Sequence, residues 1–326
     1  MHSYIALTEQ FSQKFSNAHF PEMPKGLYEP AEYFLGIGGK RIRPVACLMG
    51  NELFGDIQPD TWQIASAVEL FHNFTLLHDD IMDKAPIRRG QQTVHVRNGI
   101  NTAILSGDVM LVRAYEYLEK LSGEYIHWIL TLFNQTAKEV CEGQQYDMDF
   151  ETQSEVSLEQ YLQMIKLKTS VLLAASLKMG AIVGGATRNN CDRLYGFGKN
   201  LGIAFQIQDD YLDCFGDPEK FGKEIGGDIR RGKKTFLLIK ALEMTGGAQR
   251  QRLKDLMQVD ADPQAAPDKV EEVLAIYKEC GVDKWARMLL EEYAGKALKH
   301  LDEVVVVGSR KLPLQELTNY LLQRDH

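Results

Sequence analysis

Apolar residues recur every three or four positions along most of the chain. Between residues 62 and 77 the positions Ile64, Ala67, Val68, Phe71, Phe74 and Leu77 share one stripe, the spacing at which a helix offers a single face to a core. The same period predicts helices over 126–140, 158–177, 201–215 and 236–244. Strand-like alternation is nearly absent. The one β-branched run, 304–307, is too isolated to build a sheet and is expected to end a helix with its side chains packed.

Breaks between these segments fall at 36–39, 86–90, 184–185, 216–218, 226–227 and 246–247, where Gly and Pro gather. The stretch 259–268, rich in Asp, Pro and Ala, reads as an exposed loop ahead of a helical C-terminal third. No Gly/Ser-rich or Pro-rich linker divides the chain, so one domain over 1–326 is expected.

Composition narrows the classes. With 44% apolar and 25% charged residues the chain has material for a large core, and a net charge of -8 argues against general binding of nucleic acid. The five cysteines form no CxxC pair and no even disulfide set, which suits a reducing cytoplasm. Residues 1–20 lack the apolar centre of a signal peptide. The most apolar stretch, 171–186, carries Lys178 and glycines, and reads as too interrupted to span a membrane.

Two apolar helices end in the same signature, DDIMD at Asp79, Asp80 and Asp83 and DDYLD at Asp209, Asp210 and Asp213. Positions i and i+4 stack one helical turn apart, with i+1 about 100° round the axis. Like charges so placed repel and call for a cation. Carboxylate oxygens without His or Cys partners suit Mg²⁺, which keeps room for water and phosphate oxygens, better than zinc or a calcium loop. One such cluster alone could be a solvated helix end. Two, each followed by a basic glycine-containing segment, argue for a shared task.

The basic segments are Arg88-Arg89-Gly90, then Gly222-Lys223 with Gly226-Gly227-Asp228 and Lys233-Lys234-Thr235, and ahead of both GGKRIRP from Gly38 to Pro44. Guanidinium and ammonium groups beside flexible backbone suit diphosphate oxygens. GGKRIRP, DDIMD with RRG, Gly107-Asp108, GQQYD from Gly143, Lys168-Thr169, FQIQDDYLD and GKEIGGD stand in that order. In this the chain resembles the trans-isoprenyl diphosphate synthases, the family of farnesyl and geranylgeranyl diphosphate synthases, from about residue 30 to 235.

The resemblance implies an all-α fold, a single-domain bundle of ten or more helices around a central elongation cavity (the isoprenoid synthase fold). It implies condensation of isopentenyl diphosphate with dimethylallyl, geranyl or farnesyl diphosphate. About three Mg²⁺ ions, replaceable by Mn²⁺, would be held through Asp79, Asp83 and Asp209, with Asp80, Asp210 and Asp213 binding directly or through water. Arg88, Lys168, Lys223 and Lys233 would take the remaining charge of the allylic diphosphate. Lys40, Arg43, His72 and Arg89 would hold the diphosphate of the second substrate. Thr169 and Gln206 would face the cationic carbon, with Gln144 and Asp147 supporting the first cluster. A homodimer is implied as well.

In that family the residues four and five places before the first aspartate line the product tunnel, and here they are Thr75 and Phe74. The bulky ring of Phe74 is expected to block long products, while Thr75, smaller than the second aromatic of many farnesyl synthases, favours C20 over C15. Two rivals are weighed against this reading. A terpene cyclase shares the helical fold but has no use for GGKRIRP and Arg89, and a silent regulatory subunit commonly loses one of the two aspartate motifs.

Overall fold

The computed structural model describes residues 1–217, 225–258 and 268–322. Within them the architecture is all-α, and the only sheet is a two-stranded hairpin. The chain forms two compact units. The first comprises 1–134, 175–195 and 304–314; the second comprises the described residues of 135–174, 196–303 and 315–326.

The first unit opens with α1 (Tyr4–Phe15), α2 (Lys25–Gly36), α3 (Ile42–Glu52) and α4 (Pro59–Met82). A short hairpin, β1 (Ile87–Arg88) with β2 (Gln91–Gln92), then leads to α5 (Val94–Asn98), α6 (Ile100–Glu119) and the start of α7 (Ile126–Thr152). Helix α4 begins with Pro at its first position, where no backbone donor is lost. The buried Asn51 side chain anchors that start, accepting from the Gln58 N–H at 2.9 Å and from the Thr61 hydroxyl. The stripe read from the sequence is the buried face: Ile64, Ala67, Val68, Phe71 and Leu77 are sealed from solvent, with Phe74 half-buried. Burying a ring such as Phe71 contributes roughly 2–3 kcal/mol. Helix α4 stops at Asp83, whose N–H bonds back to the Asp79 carbonyl at 2.8 Å.

The second unit takes in the rest of α7, α8 (Leu158–Ile165), a π-helical turn (Lys166–Ser170) and the opening of α9 (Val171–Val183). It continues with most of α10 (Arg188–Phe215), α11 (Gly227–Arg230), α12 (Phe236–Met244), α13 (Gly247–Gln258), α14 (Lys269–Cys280) and α15 (Val282–Asp302), and ends in α16 (Leu312–Leu322). Its core gathers Tyr161, Ile207, Phe236, Leu253, Val273 and Tyr277. Tyr161 lies against Phe236 with ring centroids 5.8 Å apart.

Two expectations need amendment. The helix anticipated over 158–177 is two helices joined by the π turn, which inserts one extra residue at Lys166–Ser170. The run 304–307 is not a helix end: α15 stops at Asp302 and the chain turns, burying Val304 while Val305 and Val307 stand in solvent. Its geometry follows a hydrogen bond from the Val305 N–H to the Asn190 side chain at 2.9 Å. Of the expected loop, residues 259–267 lie outside the described residues.

Candidate active site

The first aspartate cluster occupies the last turn of α4. Asp79 is half-buried, Asp80 buried and Asp83 exposed as the cap of the helix. Asp80 is matched by Arg88, whose Nε lies 2.9 and 2.8 Å from the two carboxylate oxygens and whose Nη2 lies 2.7 Å away. The hairpin explains that reach. Arg89 and Gly90, its central residues, both have positive φ (50° and 77°), the requirement of the tightest right-twisted turn. The buried Thr93 hydroxyl donates to the Ala85 carbonyl at 2.7 Å and the Tyr33 hydroxyl to the Gln92 carbonyl at 2.8 Å, fixing both ends of the hairpin. Arg88 is thereby turned back onto the helix from which the chain has just left.

Beside it the four residues expected to hold a second diphosphate occur in the same unit. Arg43 Nη1 donates to His72 Nε2 at 3.0 Å, so this ring nitrogen is unprotonated. Burial, with Arg43, Arg89 and Arg88 nearby, keeps the His72 pKa well below its ordinary value. Arg89 lies beneath Gly39, where an added Cβ would fall 2.7 Å from the guanidinium. Lys40 is exposed next to it. Glu69, which sequence reasoning passed over, is buried between these cations: it pairs with Arg41 and accepts from Asn73 at 3.0 Å. Phe74 stacks edge-on against His78 (4.7 Å) and tilts against Phe71 (5.7 Å), while the Thr75 hydroxyl bonds back to the His72 carbonyl.

The second cluster lies within α10 of the other unit, and its surroundings differ. Asp210 is buried and accepts from Tyr161 Oη and from Gln206 Nε2 at 2.8 Å; Gln206 Oε1 in turn accepts from Thr169 Oγ1 at 3.2 Å. Burial, followed by repulsion from Asp228, pushes the Asp210 pKa up to about 7 against the pull of Lys233 and the two hydrogen bonds. Asp213 accepts the Asp228 backbone N–H at 2.9 Å on its carboxylate, and its carbonyl takes the Gly226 N–H at 2.7 Å. The GGD segment is thus tied to the aspartate helix.

The π turn sets the basic side of this cluster. Lys168 Nζ donates to Asp147 at 2.7 Å. Gly143 permits that approach, since a Cβ there would lie 2.3 Å from the Lys168 backbone nitrogen. Burial would raise the Asp147 pKa, but Lys233 and Lys168 outweigh it and hold the group ionised. Loss of solvent around Lys233 likewise would lower its pKa, yet Asp147, Asp228 and Asp210 together keep it above the ordinary lysine range. Lys223 lies outside the described residues. Gln144 is half-buried on α7. Tyr161 and Asp228 are the two members that sequence reading did not assign; the GGD spelling pointed at Asp228, but nothing around Tyr161 did.

Among the described residues no three His, Cys, Asp or Glu side chains stand close enough to make an all-protein metal cage. Magnesium asks for less, one or two carboxylates with the remaining oxygens from water and phosphate. The donor set on both helices is oxygen throughout, and the burial and Asp228 repulsion that raise Asp210 are both relieved by a divalent cation alongside. These residues fit Mg²⁺.

The chain belongs to the polyprenyl synthetase family, whose model matches residues 24–277. A geranylgeranyl pyrophosphate synthase from Geoglobus acetivorans is 38% identical over 305 residues, covering 93% of this chain and 92% of that protein. A geranylfarnesyl diphosphate synthase from Natronomonas pharaonis is 32% identical, covering 94% and 92%. Among solved structures, a crystal structure of a geranylgeranyl pyrophosphate synthase superposes with a TM-score of 0.93 at 43% identity, covering 100% of this chain and 99% of the other.

Proposed function

We propose that this protein is a prenyltransferase that condenses isopentenyl diphosphate head to tail with an allylic diphosphate, giving a short all-trans product, C20 in preference to C15. The observation that carries the reading is the presence of two complete aspartate clusters, with Arg88 on Asp80 and Lys233 acting on Asp210, in a chain of this family. A terpene cyclase would not need Lys40, Arg43 and Arg89 with neutral His72 beside them. A silent subunit would not need both clusters. The family match takes in residues of both compact units, which supports reading 1–326 as one catalytic domain.

Mg²⁺, held through Asp79, Asp83 and Asp209 and directly or through water by Asp80, Asp210 and Asp213, supplies Lewis-acid stabilisation of the leaving diphosphate. Arg88, Lys168 and Lys233, with Lys223, add fixed positive charge where negative charge develops, the form of stabilisation that costs no reorganisation during reaction. Lys40, Arg43 and Arg89 bind the diphosphate of isopentenyl diphosphate. Neutral His72 takes a hydrogen bond from Arg43 and so aims that guanidinium. Holding the alkene against the allylic carbon replaces a bimolecular encounter. Thr169 and Gln206, joined by their hydrogen bond, present oxygen dipoles to the cationic carbon. No protein nucleophile takes part.

The ring of Phe74, braced by Phe71 and His78, supports early termination of chain growth. The test is incubation of the purified protein with isopentenyl diphosphate, Mg²⁺ and each of the dimethylallyl, geranyl and farnesyl starters, with product sizing by mass spectrometry. A main product of C20 is expected, and Phe74→Ala is expected to lengthen it. A main product beyond C25 would overturn the role given to Phe74, and no turnover at all would overturn the enzyme reading.

No helix among the described residues is long and apolar enough to cross a membrane. We propose a cytoplasmic protein that forms a homodimer, the dimer supported by the exposed apolar residues Ile104, Leu105, Val112, Tyr115 and Trp128 on α6 and the start of α7. Light scattering on the eluted protein measures it.

A further inference from the structure

We infer that the N-terminal helix α1 belongs to the apparatus that holds isopentenyl diphosphate, with Tyr4 as a positioning residue for the loop that carries Lys40. This rests on the reading of Lys40, Arg43 and Arg89 as ligands of that diphosphate. The helix precedes the segment that the family model matches, 24–277.

The loop is conformationally demanding. Gly38, Gly39 and Arg41 have φ of 84°, 152° and 52°, so three of four consecutive residues lie where L side chains are disfavoured. An arginine stays in that region only when its surroundings hold it there. Two of the restraints come from α1 itself. The Tyr4 hydroxyl donates to the Lys40 carbonyl, fixing the backbone from which the Lys40 side chain departs. At the other end of the helix the Phe15 ring lies under the Arg41 guanidinium, 5.2 Å from its centroid. Arg41 is also held by the ion pair with Glu69, a bond to the Leu35 carbonyl at 3.3 Å and, through its own carbonyl, the Val45 N–H at 3.1 Å.

Tyr4, Leu7, Phe11 and Phe15 form one buried stripe of α1, so the same face that anchors the helix delivers both contacts. The consequence extends past Lys40. Gly39 lies directly over the Arg89 guanidinium, and a loop that drifts there moves against a second proposed ligand of the same diphosphate. Helix α1 therefore acts on the second substrate and leaves the allylic half of the reaction alone.

The test is Tyr4→Phe, which keeps the ring and removes the donor. With geranyl diphosphate saturating and isopentenyl diphosphate varied, KM for isopentenyl diphosphate is expected to rise about 5-fold, the scale of one hydrogen bond, with kcat and the KM for geranyl diphosphate unmoved. Amide hydrogen exchange over residues 38–42 is expected to quicken in the same variant. Equal rises in both KM values with a lowered Tm would reduce Tyr4 to a structural residue and overturn the inference. Lys40→Ala separates the two levels. If it raises KM for isopentenyl diphosphate and Tyr4→Phe does not, α1 has no such role; if Lys40→Ala also leaves KM unchanged, the reading of the loop falls and the inference falls with it.

Discussion

The two aspartate clusters are spelled almost alike and wired differently. On α4 the buried carboxylate, Asp80, is neutralised by an arginine only 8 residues further on, delivered by a hairpin. On α10 the equivalent, Asp210, has hydrogen bonds from Tyr161 and Gln206, and Asp228 crowds it. Asp80 has an arginine in direct contact, whereas for Asp210 burial and Asp228 outweigh Lys233 and the two hydrogen bonds, and its pKa is raised to about 7. The same DDxxD spelling thus fixes the spacing of the carboxylates but not their electrostatic state, which depends on what the fold brings alongside.

The largest effects test whether both clusters take part in the chemistry at all. Asp79→Asn and Asp209→Asn are each expected to lower kcat by about 10²- to 10³-fold, the scale of removing one stabilising group from the developing charge. Steady-state turnover with labelled isopentenyl diphosphate measures this. A variant that kept its kcat would take its cluster out of the mechanism.

The next pair tests the difference in wiring. Arg88→Met leaves Asp80 buried without its cation and is expected to cost about 3 kcal/mol, the lower end for breaking a buried pair because Arg88 is itself partly exposed. Tyr161→Phe removes one neutral donor from Asp210 and is expected to cost about 1–2 kcal/mol. Urea denaturation of the two variants side by side gives the ranking. Were Tyr161→Phe the costlier, the claim that Asp80 has a stronger local partner than Asp210 would be wrong.

The same contrast explains what could be read from the chain. DDIMD, DDYLD, GGKRIRP and the helical stripe of α4 are contiguous or periodic, and each was visible as a pattern. Partnerships across long separations were not. Tyr161 and Asp210 are 49 residues apart and Tyr4 and Lys40 are 36 apart, with no spelling to link them. The π turn at Lys166–Ser170 was hidden for another reason: Met164, Ile165, Leu167 and residues 171–174 are all buried, and where apolar residues are this dense the phase shift of one inserted residue leaves no visible break. The run 304–307 misled because β-branched residues suit a packed position, yet Val305 and Val307 stand in solvent.

The smallest effect concerns acid and belongs to the first unit. His19 is buried, its Nε2–H donating to the Phe15 carbonyl at 2.9 Å and its Nδ1 accepting from the Tyr117 hydroxyl at 3.0 Å. That arrangement satisfies a neutral ring, and burial lowers the pKa below 6.5 despite the backbone bond and Glu32. On acidification the unfolded chain therefore binds its proton before the folded one does. The stability due to neutral His19 is present above about 6.5 and is lost as pH falls below it, with a slope that cannot exceed about 1.4 kcal/mol per pH unit for one proton. His19→Gln can keep both hydrogen bonds and cannot titrate. Urea unfolding across mildly acidic pH should give a shallower decline for His19→Gln than for the parent chain. Parallel declines would mean that His19 is already free to take its proton in the folded state, and that the acid sensitivity arises elsewhere.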